Sequence, residues 1–276
     1  MEDAIWARAA RPPALHDVDT SFGPTRAYHW PGDGEPLVLL HGGLCTSVIW
    51  LPVIEALDRR DVWAVDIMGD VGRSEHRAPF RTEADFATWL DEALGALGLD
   101  AVRVGGHSLG GWVALDLAVH RPDRVVSLVL FDPGGVAPLN MNGLAKWGMP
   151  TMLGSLAPAA VRRRIARRTR NPMVEDKQMC RLILHGTLRH RPGIPTRGLL
   201  TDDDLASMSA PITLVDGECT EMFDSIAMRD RVRQLAPRRP HRADRRCRSR
   251  THPQPRRPLR RCAHRSARMT KCGPSA

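Results

Sequence analysis

The stretch Gly106-His107-Ser108-Leu109-Gly110 constrains this chain more than any other. It follows the apolar run Ala101-Val102-Arg103-Val104-Gly105 and leads into Gly111-Trp112-Val113-Ala114-Leu115-Asp116-Leu117-Ala118. The pattern is a strand, a sharp turn and a helix, with a serine at the apex and a glycine two residues away on either side. A turn this tight predicts a strained backbone at Ser108 and no room for side chains at positions 106 and 110. It would hold the serine hydroxyl clear of a sheet, over a helix N-terminus.

The neighbouring segments carry the same periodicity. Leu37-Val38-Leu39-Leu40 is a short continuous apolar run ending in His41-Gly42-Gly43, as in a strand buried on both faces. A helix is expected over residues 47–57, and a second strand over 61–66 that runs into a loop of Gly69, Gly72, Arg73 and Ser74. Residues 82–97 place Phe86, Leu90, Leu94 and Leu97 on one helical face. After the break at Pro122, residues 125–131 read as another buried strand. Residues 211–217 return to the sheet and 224–235 form a following helix. The first 35 residues read as an entry segment, with a hairpin about residues 18–30 and a turn at Pro31-Gly32-Asp33-Gly34. Strands alternating with helices at this pitch give parallel β-α-β units, and so an α/β protein with a doubly wound, mostly parallel sheet. Ligands of such sheets sit beyond the C-terminal ends of the strands. His41-Gly42-Gly43, Asp66, Ser108 and Asp132 all fall there and should line one crevice.

Residues 1–135 and 209–236 are therefore expected to form one core, interrupted by a helical cap over 136–208. The cap is rich in Gly, Pro and Met, is broken at Pro158, Pro172, Pro192 and Pro195, and carries Arg162, Arg163, Arg164, Arg167, Arg168 and Arg170. That arginine cluster reads as a solvated helix face. Residues 237–276 differ from all that precedes them. They carry a net charge of +13 in a chain of +9, which leaves −4 on residues 1–236. With too few apolar residues for a strand or a covering helix, this Arg/Pro-rich tail is expected to be disordered. There is no apolar run of 18 residues and no basic-then-apolar leader, so the expectation is a cytoplasmic protein without a membrane partner. The six cysteines form no C-x-x-C pair, and neither a zinc site nor a disulfide framework follows from their spacing.

Taken together, Leu39-Leu40-His41-Gly42-Gly43, Asp66-Ile67-Met68-Gly69-Asp70-Val71-Gly72-Arg73-Ser74, the run 106–111, the run 128–135 and the run 211–218 resemble the serine α/β-hydrolase family. The resemblance extends from about residue 15 to residue 236. It implies the α/β-hydrolase fold and a serine hydrolase that cleaves a small carboxylic ester or related acyl substrate through a Ser108 acyl-enzyme, with no metal and no cofactor. It implies an oxyanion hole made by the backbone N–H of Leu109 and of Gly43. Leu44 and His41 would border the substrate, His41 more as a structural hydrogen-bonder than as a catalyst. His107 would point away from the reacting face. The acid is left between two residues. The family position three beyond Gly217 holds Thr220, which cannot support a histidinium, so Asp224 and Asp132 are the alternatives, with Glu221 behind them.

The family's base, a Gly-His about 25 residues after the acid, has no counterpart in the Arg-rich tail. The tail reads as a frame-shifted C-terminus, because codons for residues 245–251 displaced by one nucleotide can encode Gly-His at about the right distance. If the tail is authentic, His241 and His252 are the histidines that could serve. Two other readings stay open at this point. One is a small-ligand binder on the same fold without the triad histidine. The other is a nucleic-acid-associated protein acting through its tail, although the tail lacks the interleaved aromatics or RGG repeats of such segments. Sequencing the gene tests the frame: the displaced codons should give Gly-His followed by a helical pattern.

Overall fold

A computed structural model describes residues 2–57, 59–189, 198–217 and 221–235. The expected tail, the Pro192 and Pro195 breaks and Thr220 lie outside those residues. Among the described residues seven strands form one sheet in the order β1-β2-β4-β3-β5-β6-β7. They are β1 (Ala14–Thr20), β2 (Gly23–Trp30), β3 (Asp33–Leu40), β4 (Arg60–Val65), β5 (Val102–His107), β6 (Val125–Phe131) and β7 (Ile212–Val215). The first two form the expected hairpin, which joins β4 antiparallel, and all other pairings are parallel. The expected turn at residues 31–34 is shorter than read: Asp33 and Gly34 already belong to β3.

Alternation along the central strands explains the two-sided burial. Val38 and Leu40 of β3 and Trp63 and Val65 of β4 face one apolar layer, while Leu39, Val62 and Ala64 face the other. The larger layer is closed by α3 (Ala84–Ala96), α4 (Leu109–His120) and α9 (Ser225–Leu235), which contribute Phe86, Leu90, Leu94, Leu115, Met228 and Val232. The smaller is closed by a 3-10 turn (Ser47–Trp50) and α2 (Leu51–Ala56), through Trp50 and Ile54. Near it the short α1 (Glu2–Trp6) buries Ile5 against Val48 and Leu51.

Between β6 and β7 the chain inserts α5 (Met141–Gly154), α6 (Ala159–Thr169), α7 (Lys177–Arg189) and α8 (Asp202–Ser207). The segment expected as a cap is not uniform. Val136, Ala137, Leu200, Leu205 and Met208 are buried in the main core, so residues at both of its ends pack into the body of the fold. The arginines 163, 164, 167 and 168 are exposed on α6, as expected of a solvated face.

The registers set the site. Leu40 pairs with Val65 and with Gly106, His107 with Phe131, and Phe131 with Val215. The four parallel connections therefore leave the sheet at one level, after residues 40, 65, 107 and 131. The connection from β3 runs outward to β4, whereas the next crosses back over β3 to β5. That reversal opens a crevice between the ends of β3 and β5.

One buried carboxylate ties the two helices of the larger face together. Asp116 of α4 accepts from the Ala87 N–H in the first turn of α3 at 2.9 Å, where the helix dipole favours an acceptor. Burial, opposed by His120 and by the Ala87 N–H, pushes the Asp116 carboxyl up to about 6. A folded-state value above the unfolded one means that the protonated form is favoured by folding. The corresponding stability is present below about pH 4 and is lost as pH rises through 6. Asp116→Asn keeps the acceptor and removes the titration. Thermal melts between pH 4 and 7 should show the parent losing about 2 kcal/mol relative to this variant.

Candidate active site

Ser108 occupies the junction of β5 and α4 with φ 49° and ψ −107°. A non-glycine residue holds such a conformation only when its surroundings fix it, and here every backbone group is engaged. Its N–H donates to the Phe131 carbonyl at 3.0 Å, and its own carbonyl accepts from Trp112 and Gly134 at 3.1 and 2.9 Å. The glycines obey the spatial reason given for them. A Cβ at Gly106 would lie 2.4 Å from the Gly110 carbonyl oxygen, and one at Gly110 would lie 2.2 Å from that of Leu40. The Gly110 N–H meanwhile donates to the His41 carbonyl at 3.0 Å. The start of α4 thus rests directly on the end of β3, and the Ser108 side chain stays partly accessible.

Leu109 is the first residue of α4, so its N–H has no acceptor within the helix. Gly43 lies beside it: a Cβ at Gly43 would be 3.8 Å from Leu109 Cδ2. Gly43 and Leu44 are the central residues of a turn closed by the Cys45 N–H donating to the Gly42 carbonyl at 3.2 Å. Leu44 has φ 59°, and its N–H is taken by both carboxylate oxygens of Asp70, each at 3.1 Å. The Leu44 N–H is therefore occupied, whereas Gly43, the donor expected after β3, lies against the Leu109 side chain.

The sequence expectation set His41 at the border of the substrate. It is fully buried. Its Nε2 accepts from the Ile67 N–H at 2.9 Å, which leaves the proton on Nδ1 to donate to the Gly42 carbonyl at 2.9 Å. The imidazole therefore props the Gly42–Gly43 loop from beneath. Against that loop lies His107, whose Nδ1 would be 2.5 Å from a Cβ at Gly42. Burial, reinforced by His41, pushes the His107 imidazole down to about 4 and keeps it neutral.

The carboxylates at this end of the sheet divide into framework and candidate acid. Asp66 is fully buried. It accepts from the Ser47 N–H and hydroxyl at 3.0 and 2.7 Å, from the Arg73 N–H at 2.8 Å and from the Tyr28 hydroxyl at 3.3 Å. Its lone pairs are spent on joining the loops after β3 and β4. Asp132 directly follows β6, at φ 43°. Its Oδ1 accepts from the Gly217 N–H at 3.3 Å. Burial raises its pKa, the Gly217 N–H opposes that, and nearby Asp216 adds to it. Asp224 takes a different role from the one considered in sequence. It is exposed and caps α9, its Oδ1 accepting from the Ile226 and Ala227 N–H groups at 3.0 Å each. Its oxygens are used where a helix N-terminus needs them. Glu221 is exposed and pairs with Lys146. No histidine hydrogen-bonds to Ser108 or Asp132 among the described residues.

Sequence reasoning missed two residues of this site. Asp70 was read only as part of a glycine-containing loop. Gly186 of α7 was not singled out, yet a Cβ there would lie 3.0 Å from a Val71 methyl and 3.4 Å from the Leu44 carbonyl oxygen. A helix of the insertion therefore sits on the turn beside Ser108.

Residues 35–237 match the profile of a family described as alpha/beta hydrolase fold. The carboxylesterase YbfK of Bacillus subtilis (strain 168) is 39% identical over 118 residues, which are 42% of this chain and 40% of that protein. The uncharacterized carboxylesterase nap of the same strain is 28% identical over 236 residues, 80% of this chain and 75% of the relative. Among solved structures, naproxen esterase (carboxylesterase NP) from Bacillus subtilis superposes with a TM-score of 0.70 at 26% identity, covering 86% of this chain and 85% of that one.

Close packing at the turn has a direct consequence. Gly110→Ala should lower stability by more than about 3 kcal/mol, or prevent folding, because backbone occupies the space. Gly148→Ala in α5, where a Cβ meets nothing within 4 Å, should instead gain about 0.5–1 kcal/mol. Denaturant melts of the two variants decide the contrast.

Proposed function

Because the chain belongs to the alpha/beta hydrolase fold family, we propose that it is a serine carboxylesterase acting on a small carboxylic ester. The observation that carries this reading is Ser108, held at φ 49° at the junction of β5 and α4, with Gly43 packed against the side chain of Leu109. Ser108 Oγ attacks the ester carbonyl as its proton passes to a histidine base, for which His241 and His252 are the candidates left in the sequence, and thence to the leaving alcohol, while the two N–H groups receive the developing oxyanion. Preorganised donors of this kind contribute about 2.7–4 kcal/mol each to the transition state. The alcohol leaves, an acyl-serine remains, and water releases the acid. Names of the relatives support the ester as the bond cleaved: two are carboxylesterases of Bacillus subtilis.

Asp132 is assigned as the acid that orients the base. It is half-buried, one residue beyond the strand that pairs with β5, and its strand end accepts the Ser108 N–H. Asp224 is left to its helix cap. His41 and His107 are not assigned as base, since one spends both ring nitrogens on backbone and burial lowers the other to about 4, too weak a base for the serine proton. Residues 136–208 supply the helices that border the crevice, with Leu44 beneath α7. One observation favours a second reading, a small-ligand binder without turnover: no histidine among the described residues hydrogen-bonds to Ser108.

A fluorophosphonate probe and p-nitrophenyl butyrate separate the two. The esterase reading expects labelling that Ser108→Ala abolishes, and hydrolysis reduced about 10²–10⁴-fold in Asp132→Asn. Asp224→Ala should leave kcat/KM unchanged while costing about 1 kcal/mol of stability. Labelling that survives in Ser108→Ala overturns the assignment. An unlabelled parent that still binds an acyl ligand supports the binder.

A further inference from the structure

We infer that Asp70 is a positioning residue of the oxyanion hole, clamping the Gly43–Leu44 turn so that the Gly43 N–H stays aimed at the reacting carbonyl. The inference deepens the esterase reading and rests on it. Gly43 has no side chain to restrict its backbone and, left alone, would sample a wide range of φ and ψ. Its direction is therefore set by its neighbours. On one side, the Gly42 carbonyl is fixed by two donors, the His41 Nδ1–H at 2.9 Å and the Cys45 N–H at 3.2 Å. On the other side stands Leu44, a branched residue at φ 59° in a turn position that Gly or Asn ordinarily fills. Nothing in a leucine side chain favours that conformation. What holds it is Asp70, whose two oxygens both accept the Leu44 N–H at 3.1 Å while Oδ1 also accepts the Val71 N–H at 2.9 Å.

The carboxylate comes from the loop after β4 and grips the loop after β3. It is buried, and Oδ2 lies 4.0 Å from the Cβ position of Gly43. If the Gly43–Leu44 peptide flipped, the Gly43 carbonyl would face that carboxylate, so repulsion disfavours the flipped turn. Gly186 closes the other side by packing against the Leu44 carbonyl. The sign of the charge matters to the role. A negative group beside an oxyanion hole opposes the developing negative charge, so direct electrostatics would slow the reaction. Geometry is the contribution that acts in the favourable direction.

The two mechanisms differ in what Asn does at position 70. Its Oδ1 retains the acceptor for Leu44 and Val71 and deletes the charge, whereas Ala deletes both. In the full chain, Asp70→Ala should lower kcat on p-nitrophenyl butyrate, and the rate of fluorophosphonate labelling, by about 10–100-fold, with KM changed much less. Asp70→Asn should recover most of that loss, since a neutral acceptor keeps the turn. Amide exchange in a peptide spanning residues 42–46 should rise about tenfold or more in the Ala variant alone, the remainder of the chain being unchanged. Labelling and exchange both at parental values in Asp70→Ala would overturn the clamp, and so would faster exchange with an unaltered labelling rate. Faster turnover in Asp70→Asn than in the parent would assign the residue to electrostatics instead. A parent that the probe does not label removes the serine reading, and the exchange of residues 42–46 then decides the clamp by itself.

Discussion

The first turn of α4 lies against the bare backbone at the end of β3, and the rest of the site depends on that approach. Gly110 donates to the His41 carbonyl and has no room for even a methyl group beside Leu40. The contact fixes the height of the helix over the sheet and so the direction of the Ser108 side chain. It also brings the loop that leaves β3 alongside the first residue of α4. Strain at Ser108 persists because three backbone hydrogen bonds and this packing leave it no alternative.

Around that contact, polar groups are distributed by the needs of backbone more than by chemistry. Asp66 joins Ser47, Arg73 and Tyr28, His41 joins Ile67 to Gly42, and Asp70 joins the loops after β4 and β3. Loops at the ends of parallel strands leave many N–H groups unpaired, and burying them beneath helices requires acceptors. Each of these side chains supplies one. Asp132 differs in that a single backbone N–H engages it while burial and Asp216 make its charge costly, the environment in which a carboxylate gains from a cationic partner.

Most of the sheet was legible in sequence because its signal is local. Leu37–Leu40 is an unbroken apolar run that feeds two apolar layers, and Phe86, Leu90 and Leu94 share one helical face, so local pattern identified both elements. The turn at Ser108 was equally legible, since glycines at 106 and 110 have steric reasons that spacing reveals. What could not be read depends on contacts distant in the chain. Asp70 is one carboxylate in a polar loop until Leu44 is placed above it. Asp224 and Asp132 looked equivalent until one was seen to cap α9 and the other to end β6. His41 looked like a crevice residue because position along the strand does not say which nitrogens the backbone will claim. The bounds of the insertion expected from composition depend on contacts of the same kind, since Leu205 and Met208 bury in the main core through packing with no local period.

Gly186 has a consequence for how this scaffold could change over evolution or in the hands of an engineer. Its backbone rests on Val71 and on the Leu44 carbonyl, so a helix of the insertion is also a wall of the turn after β3. Reshaping α7 to admit bulkier molecules would displace that wall. Breadth of substrate acceptance and speed of turnover would then shift together, and a graft of the inserted helices from a relative would need bare backbone at the same spot.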